Sequence, residues 1–505
     1  MKFKLSDDGR FLELIEASEL EHEQLKITLT KRIKNWRFNP RVKSGVWDGY
    51  YCYLYQNKYV PSGLWKEVLD MCKNYDYPVH FEGIRKIFDD SLEFDDFKEW
   101  VDDFFEGFKI NGEPVTPYDY QIETAFRILK FRKCAAELAT SAGKTLISFM
   151  VIGYMLEKKL STKILFIVPN VSLVIQAYND FLEYNHKNRV KLKMQMIYSG
   201  QEDLSNSNIV IGTYQSLVKK KKEYYDDFDA VVIDEAHKVK AHSIKSILEK
   251  CTNSNYRYGL TGTFPKPGTL DRITLMCYMG PLVNEVNANF LQNKGHITKC
   301  NVKIIEMDYA PDKTRKSFYE LSQNKTQRKG LYNVEQSYII NNQSRLTMVT
   351  GIINKSTKNS LVLFHHTEYG KALYERLRGI SEGKLVYYVA GETDSDIREI
   401  YKKKMENNNN VILVASYGTF STGISVKNIH NIFLTESRKS EIIIRQSIGR
   451  GLRKHKSKDM LTIIDFVDNL NYSTWRSYHM RHSDERKKIY NEQKFPYQTK
   501  KLKFR

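Results

Sequence analysis

The sequence predicts an α/β protein with two parallel-sheet lobes in tandem, placed after a smaller amino-terminal α+β domain. Short continuous apolar runs alternate with amphipathic segments after Pro117, and the same pattern returns from about residue 360. Continuous apolar strands separated by helices are typical of a parallel sheet that is covered on both faces. The length of 505 residues agrees with about three domains.

We expect five segments along the chain. They are an amino-terminal domain (residues 1–88), an acidic connecting helix (89–112), a first lobe (113–285), a second lobe (286–470) and a basic tail (471–505). In the connecting segment, aromatic residues recur at helical spacing among nine acids, which predicts one buried face and one solvated acidic face. The tail carries ten basic residues against three acids. A solvated tail and a nucleic-acid contact are both open interpretations.

Periodicity predicts the individual elements. In the amino-terminal domain, residues 19–29 have the pattern of a helix and residues 50–55 that of a strand. The predicted strands of the lobes are residues 163–168, 209–212, 230–233 and 257–260, then 302–307, 360–364, 385–389, 411–415, 432–434 and 460–465. The predicted helices of the first lobe are residues 146–157, 173–183 and 243–250.

Charge and composition narrow the class of protein. Lys plus Arg total 79 against 60 Asp plus Glu, which gives a formal net charge of +19. This excess favours polyanionic partners, because basic side chains displace the counterions that condense on phosphates; a generally basic enzyme is the alternative. No apolar run approaches the roughly 18 residues of a membrane-spanning helix. Asp7 and Asp8 come before any signal-peptide core could develop.

The six cysteines are scattered without paired spacing. This distribution predicts neither a zinc site nor a disulfide framework, and it indicates a reducing compartment.

A glycine-poor phosphate loop is predicted at residues 139–145 (ATSAGKT), between a candidate strand and an apolar helix. Small residues let backbone N–H groups close around phosphate oxygens, and the helix amino terminus adds a favourable dipole. Lys144 would neutralise the β- and γ-phosphates of ATP, and the Thr145 hydroxyl would ligate Mg²⁺. The strict pattern begins with glycine, whereas Leu138 stands there. The predicted ATP-binding residues of this loop are Thr140, Ser141, Ala142, Gly143, Lys144 and Thr145.

An acidic pair, Asp234 and Glu235, directly follows the apolar run at residues 230–233. Parallel sheets bind ligands at the carboxyl ends of their strands. Asp234 would hold the metal through water, and Glu235 would take a proton from the attacking water. Together with the phosphate loop, this pair predicts an ATPase.

A third group lies in the second lobe, where Gln446, Arg450 and Arg453 belong to the segment QSIGRGLR. Arginines three residues apart share one face of a helix. Guanidinium groups that reach γ-phosphate oxygens stabilise the charge of the transition state. Because these arginines lie in a different lobe from Lys144, we expect hydrolysis to require closure of the two lobes.

Taken in order, these segments resemble the motifs of superfamily 2 helicases and translocases, whose two lobes are RecA-like. Gln121 resembles the adenine-reading glutamine, residues 234–237 (DEAH) the second motif, residues 260–263 the third and residues 415–425 the fifth. The resemblance implies ATP and Mg²⁺ as cofactors, Thr145 and Asp234 as metal ligands, and Gly423 as a further ATP contact. It also implies nucleic-acid contacts at Pro169, Asn170, Thr213, Tyr214, Gln215, His365, His366 and Thr422.

The front segments at residues 37–41, 45–49 and 61–64 resemble the amino-terminal domain of the phage UvsW-type recombination helicases. Basic and aromatic side chains alternate there, so Arg37, Arg41 and Trp47 are further candidates for DNA contact. Core packing is the alternative for the nearby strand tyrosines.

The expected function is therefore an ATP-dependent DNA helicase or translocase. The resemblance implies remodelling of branched DNA (forks, D-loops, R-loops and Holliday junctions) in recombination, repair and replication. Partners would be branched, single-stranded or double-stranded DNA and RNA–DNA hybrids, with no membrane, in the cytoplasm of a host cell if a phage encodes the chain. An RNA helicase and a non-catalytic nucleic-acid clamp with a silent ATP pocket stay open as alternatives. A restriction-type motor is a further option, without any recognised nuclease motif.

Overall fold

The computed structural model describes residues 1–110, 112–198, 206–240, 242–309, 312–324, 330–423, 426–437 and 441–504. The chain forms two compact units, Met1–Val286 and Asn287–Arg505. Residues 424 and 425 of the predicted fifth motif lie outside the described residues.

A small mixed sheet forms the amino-terminal part of the first unit. The strands of this part are β1 (Lys2–Leu5), β2 (Phe11–Glu16), β3 (Thr30–Arg32), β4 (Tyr50–Cys52), β5 (Tyr59–Pro61) and β6 (His80–Glu82). Its helices are α1 (Glu19–Leu29), α2 (Pro40–Lys43) and α3 (Trp65–Asn74). The main sheet has the order β5-β2-β1-β6, and β3 pairs with β4 in a separate hairpin. Ser18 and Glu21 form a capping box that begins α1 at the predicted residue.

The acidic connecting segment is a helix, α4 (Phe94–Phe104), followed by the short strands β7 (Lys109–Ile110) and β8 (Glu113–Pro114). One face of α4 is buried through Phe97, Trp100, Val101 and Phe104. Asp95, Asp96, Glu99, Asp102 and Asp103 are exposed. The amphipathic pattern in the sequence therefore predicted this helix correctly.

The first lobe is a seven-stranded sheet in which every pair of neighbouring strands is parallel. Its strands are β9 (Lys133–Leu138), β10 (Ile164–Val168), β11 (Met194–Ile197), β12 (Ile209–Thr213), β13 (Ala230–Asp234), β14 (Tyr256–Thr261) and β15 (Leu282–Val286). Its helices are α5 (Asp119–Lys130), α6 (Lys144–Glu157), α7 (Val171–Tyr184), α8 (Tyr214–Leu217), α9 (His242–Lys250) and α10 (Leu270–Met279). The strand order is β11-β12-β10-β13-β14-β9-β15. All residues of β10 and β12 are buried, as a sheet covered on both faces requires.

The second lobe repeats this plan. Its strands are β16 (Lys299–Tyr309), β17 (Ser360–Phe364), β18 (Leu385–Val389), β19 (Val411–Ser416), β20 (Asn431–Leu434), β21 (Met460–Asn469) and β22 (Tyr497–Phe504). Its helices are α11 (Ala288–Asn293), α12 (Asp312–Gln323), α13 (Leu331–Asn341), α14 (Gln343–Asn354), α15 (Thr367–Ile380), α16 (Ser395–Asn407), α17 (Tyr417–Gly423), α18 (Glu441–Gly451) and α19 (Tyr478–Glu492). The order β18-β19-β17-β20-β21-β16-β22 matches the first sheet strand for strand. The predicted fold class is thus confirmed.

The solvated interpretation of residues 471–505 is wrong for most of this segment. Residues 478–492 form α19, and β22 pairs in parallel with β16 as the seventh strand of the sheet. Arg486 and Tyr490 of α19 are 1% and 0% exposed. The apolar residues between the basic side chains thus build the last helix and strand of the lobe. At least one of the basic side chains, that of Arg486, belongs to the buried interior and not to a solvated tail.

The amino-terminal sheet and the first lobe share one hydrophobic core that runs from Phe3 to Met279. A Cβ atom on Gly63 would lie 2.1 Å from the carbonyl oxygen of Met276, so only glycine allows this turn to approach α10. The Tyr53 hydroxyl lies 2.7 Å from the Thr274 hydroxyl across the same contact. A close backbone approach and a hydrogen bond between side chains therefore fix how the front domain packs on this lobe.

Among the described residues, no helix combines the length and the apolar character needed to cross a membrane.

Candidate nucleotide site and nucleic-acid contacts

The loop that the sequence predicts to bind phosphate connects β9 to the first residue of α6, Lys144. Ser141 and Gly143 both adopt left-handed backbone conformations, with φ of 73° and 80°. Glycine adopts this region most easily, so a serine at 141 is held there by the surrounding loop. A Cβ atom on Gly143 would lie 2.2 Å from Gln121 Nε2, so a larger residue would have to displace this side chain and would also be strained at the positive φ.

Gln121, the predicted adenine-reading residue, packs directly under this loop. Its side chain is buried, and its Nε2 donates to the carbonyl oxygen of Ala142 at 3.1 Å. The Tyr120 hydroxyl donates to the same oxygen at 3.0 Å. The first turn of α5 therefore braces the phosphate loop, a role that sequence reasoning did not assign to Tyr120.

Lys144, Thr145 and Asp234 line one small cavity of about 20 Å³ at the carboxyl edge of the first sheet. The Lys144 ammonium donates to the carbonyl oxygen of Leu138 at 3.3 Å. A Cβ atom on Gly262 would lie 3.7 Å from Lys144 Nζ, so the turn after β14 also borders the lysine. The structure thus brings together side chains from segments about 90 residues apart, as the sequence predicted.

The acidic pair at the end of β13 is partly buried, and the Glu235 side chain is 14% exposed. Burial and the neighbouring Glu235 charge raise the pKa of Asp234. Burial alone would also raise the pKa of Glu235, but the contact with His237 and the Lys144 charge lower it. The two carboxyls therefore differ in proton affinity, with Glu235 the one held as the carboxylate.

His237 connects this pair to the turn after β14. Its Nδ1 lies 3.2 Å from Glu235 Oε2 and 3.0 Å from the Thr261 hydroxyl. That hydroxyl donates to the carbonyl oxygen of Thr263 at 3.0 Å. The structural hydrogen bond that the sequence left as one interpretation for His237 is therefore present.

The donors around the cavity suit a nucleotide-bound Mg²⁺. Within the ranges that the structure describes, no three His, Cys, Asp or Glu side chains cluster as a metal-binding set. Mg²⁺ in nucleotide sites takes one or two protein carboxylates and completes its shell with phosphate oxygens and water. The Thr145 hydroxyl and the Asp234 carboxylate, which line the same cavity, fit that requirement.

The nucleic-acid candidates of the first lobe follow the next strands at the same edge of the sheet. Asn170 caps α7, because its Oδ1 accepts from the backbone N–H of Leu173 at 3.0 Å. Thr213 is buried and caps α8. Gln215 is exposed, and its Nε2 lies 3.5 Å from the carbonyl oxygen of Pro169. Tyr214 packs partly against the core. Only part of this set is therefore presented on the surface.

In the second lobe, His365 and His366 follow β17 and contact a residue that sequence reasoning missed, Glu436. The missed signal was an acid placed just after a buried strand, as Asp234 and Glu235 are. Thr422 and Gly423 are the last two residues of α17.

Gln446 and Arg450 lie on α18, and the Arg450 guanidinium is 6.0 Å from the centre of the Phe420 ring. Arg453 lies two residues beyond the end of this helix. The prediction that both arginines share a helical face is therefore wrong, because the helix ends at Gly451. A Cβ atom on Gly451 would lie 2.6 Å from Ile432, so the helix end packs tightly on β20.

The front-domain candidates lie in the segment between β3 and β4, with Arg41 on α2. Arg37 and Arg41 are exposed, and the Arg41 guanidinium lies 5.9 Å from the Trp47 ring. Tyr50 and Tyr51 are 42% and 50% exposed, so core packing does not account for them. Cations stacked on exposed rings are suited to phosphates and unpaired bases.

Two family models match the chain. Residues 4–82 match the one described as "DNA helicase UvsW, N-terminal", and residues 114–266 match "Type III restriction enzyme, res subunit". The first match covers the small mixed sheet, and the second covers the phosphate loop and the acidic pair.

Relatives extend this similarity to nearly the whole chain. The "ATP-dependent DNA helicase uvsW" of Enterobacteria phage T4 is 31% identical over 96% of this chain and 96% of its own length. The "DNA 3'-5' translocase XPB2" of Sulfurisphaera tokodaii is 25% identical over 68% of this chain and 80% of its own.

Solved structures agree with these matches. The crystal structure of T4 UvsW covers 99% of both chains, with a TM-score of 0.50 and 28% identity. The Type ISP restriction-modification enzyme LlaBIII bound to DNA has a TM-score of 0.56 at 14% identity, over 78% of this chain and 32% of that one, which shows the fold alone. The sequence is 31% identical to that of a phage helicase over 96% of both chains, and the two architectures match. The chain therefore belongs to the UvsW family of DNA helicases.

Proposed function

We propose that the chain is an ATP-dependent DNA helicase that remodels branched DNA in recombination, repair and replication, in the cytoplasm, which is that of a host cell if a phage encodes the chain. The observation that carries this proposal is that Lys144, Thr145 and Asp234 line one and the same cavity. Full-length similarity to a relative named as an ATP-dependent DNA helicase supports the same conclusion.

The phosphate loop would bind the triphosphate of ATP. Its backbone N–H groups lie at the amino terminus of α6, where anions are favoured, and Lys144 would neutralise the β- and γ-phosphates. Thr145 and Asp234 would hold Mg²⁺. When bound, this ion supplies positive charge against the phosphate oxygens.

Glu235 would act as the general base for the attacking water. The contact with His237 and the Lys144 charge hold this residue as a carboxylate, the form that accepts a proton. Gln446, Arg450 and Arg453 would contribute from the second lobe, with the guanidinium groups stabilising charge on the γ-phosphate. Residues of both lobes would thus act on one nucleotide.

DNA would be held by the net charge of +19 and by residues of the front domain and of both lobes. The proposed contacts are Arg37, Arg41, Trp47, Pro169, Asn170, Thr213, Tyr214, Gln215, His365, His366 and Thr422. Because Thr213 is buried and Asn170 caps a helix, their side chains would position loop backbone toward DNA phosphates.

Lys144→Ala and Glu235→Gln test the proposal. We expect both variants to lose DNA-stimulated ATP hydrolysis by about two orders of magnitude or more, because each removes a charge needed in the transition state. DNA binding should be retained, since neither residue is a proposed DNA contact. Lys158→Ala, at the opposite end of α6, is the matched control and should hydrolyse ATP normally.

The assay uses single-stranded, duplex, forked and four-way DNA beside duplex RNA. Stronger stimulation by RNA than by any DNA would favour the RNA-helicase alternative. Absence of turnover by the wild-type chain with every substrate would favour the non-catalytic clamp. Normal hydrolysis by both site variants would reject the assignment of the site.

A further inference from the structure

A buried carboxylate sits beside the predicted nucleic-acid contacts of the second lobe. Glu436 lies two residues after β20, and its side chain is 1% exposed. A carboxylate taken out of water is costly unless hydrogen bonds or a counter-charge compensate it. Its partners therefore show what the fold uses this residue for.

Those partners belong mainly to the loop after β17. Oε2 accepts from the backbone N–H groups of His365 and His366, the second at 3.1 Å. Oε1 lies 2.5 Å from His366 Nδ1 and 3.5 Å from Gln336 Nε2. A carboxylate can only accept, so Nδ1 of His366 must carry a proton in this contact. Glu436 thus fixes both the loop backbone and the imidazole tautomer.

The repeated strand order gives this arrangement a counterpart in the first lobe. β20 corresponds to β13, which ends in the acidic pair, and β17 corresponds to β10, which is followed by Asn170. In the first lobe, the contacts of Glu235 are with His237, next to Lys144. In the second lobe, the corresponding acid is directed to the loop of the neighbouring strand.

We propose that Glu436 is a positioning residue for nucleic-acid contact, which acts by holding the His365–His366 loop and the Nδ1–H tautomer of His366. This inference rests on the proposed function, because it takes those histidines to be DNA contacts. The inference assigns a role in DNA binding to Glu436, which itself is not expected to contact DNA or ATP.

Glu436→Gln is the discriminating variant, because it keeps the size of the side chain. Its amide oxygen can still accept the backbone N–H groups, but its NH₂ group would face His366 Nδ1 and favour the opposite tautomer. We expect the DNA concentration for half-maximal ATPase stimulation to rise about tenfold, as for the loss of a charge-assisted hydrogen bond. The maximal rate and the DNA-free rate should stay as in the wild type.

Two further readouts separate positioning from a general loss of structure. ¹⁵N NMR of the imidazoles, with His366→Gln identifying the resonance, should show the His366 proton on Nδ1 in the wild type and on Nε2 in Glu436→Gln. The double variant with His366→Gln should bind DNA no more weakly than His366→Gln alone, since both changes act through one loop. Glu375→Gln, an exposed acid on the following helix α15, is the matched control.

The proposal is overturned if the Glu436→Gln and His366→Gln effects on DNA stimulation add independently. It is also overturned if His366→Gln leaves the half-maximal DNA concentration unchanged, a measurement that does not depend on the folding of Glu436→Gln. Either result, obtained while wild-type hydrolysis responds to DNA and requires Lys144, counts against this inference and leaves the proposed function standing. Absence of DNA-stimulated hydrolysis in the wild type would count against both.

Discussion

Lys133 is a largely buried cation at the contact between the front domain and the first lobe. Its ammonium donates to the carbonyl oxygen of Gly9 at 3.2 Å. Burial, followed by the charge of Arg257, lowers the pKa of Lys133 to about 8. In the unfolded chain a lysine titrates near 10.5. Folding therefore weakens proton binding at this side chain.

This difference predicts a pH-dependent effect of Lys133→Met. Between pH 8 and 10.5 the unfolded chain binds more protons at this site than the folded chain, so the lysine destabilises the fold most fully below pH 8. We expect the methionine variant to gain about 2–3 kcal/mol of unfolding free energy at pH 7. The difference in unfolding free energy between Lys133→Met and the wild type should shrink as the pH rises from 8 to 10.5. Urea titrations of the two proteins at several pH values measure this difference.

The carbonyl oxygen of Gly9 keeps a partner in this variant, because the Ser62 hydroxyl also donates to it at 2.8 Å. Lys109→Met removes an exposed lysine from the same unit and serves as the control. A stability difference that stayed constant across this pH range would contradict the assigned environment of Lys133.

At the scale of elements, α19 and β22 complete the second lobe. The Arg486 Nε of α19 lies 2.8 Å from Asp465 Oδ2 on β21, and both side chains are 1% exposed. The Tyr490 hydroxyl donates to the same oxygen at 2.9 Å. At the start of the helix, Glu335 of α13 accepts from the backbone N–H groups of Tyr478 and His479. Both ends of α19 are thus held by buried acids.

Arg486→Met should therefore destabilise the second lobe strongly. It leaves the Asp465 carboxylate buried without its cation, which costs about 3–5 kcal/mol when one partner of a buried pair is removed. Denaturant unfolding should show this loss in the transition of the second unit. Arg481→Met, an exposed arginine on the same helix, should change stability by less than about 0.5 kcal/mol. Equal stability of the two variants would mean that the buried pair contributes little.

At the scale of the whole molecule, the chain contains two sheets of identical strand order, but the chemistry of their edges differs. The carboxyl edge of the first sheet has the phosphate loop and a partly buried acidic pair. The second lobe has the loop that Glu436 holds and carries Arg450 in the last turn of α18. Under the proposed function, in which Arg450 contributes to hydrolysis, the first lobe alone should not hydrolyse ATP.

Arg450→Ala tests this dependence in the full chain. We expect binding of a fluorescent ATP analogue to change less than about threefold, while DNA-stimulated turnover falls about a thousandfold, the range found for arginine fingers. Lys454→Ala, an exposed lysine just beyond the same helix, should retain turnover. Turnover that survives in Arg450→Ala would argue against a contribution of this arginine to hydrolysis.

Local patterns in the sequence predicted the elements well. The predicted strand at residues 360–364 is β17, and that at 385–389 is β18, with the same bounds. The phosphate loop and the acidic pair were also identified, because a small-residue turn before a helix and acids after an apolar run are signals read within a few residues.

Other features depended on contacts between distant parts of the chain. The basic composition of the carboxyl-terminal segment concealed its helix and strand from the sequence analysis. Burial of Arg486 depends on its ion pair with Asp465, a contact between distant parts of the chain that local sequence does not reveal. The end of α18 was misplaced because close packing of Gly451 on Ile432 cannot be read from spacing.

The sequence by itself determined the two-lobed α/β plan and supplied the candidate residues of the proposed nucleotide site, because hydrophobic periodicity and loop chemistry are local properties. Only the tertiary structure decided which charged side chains are buried and which groups they contact. Glu436 accepts hydrogen bonds from the His365–His366 loop, and Lys133 lies at the contact between the front domain and the first lobe. The cost of a buried charge depends on partners that strand order brings together, and that order is a property of the whole fold.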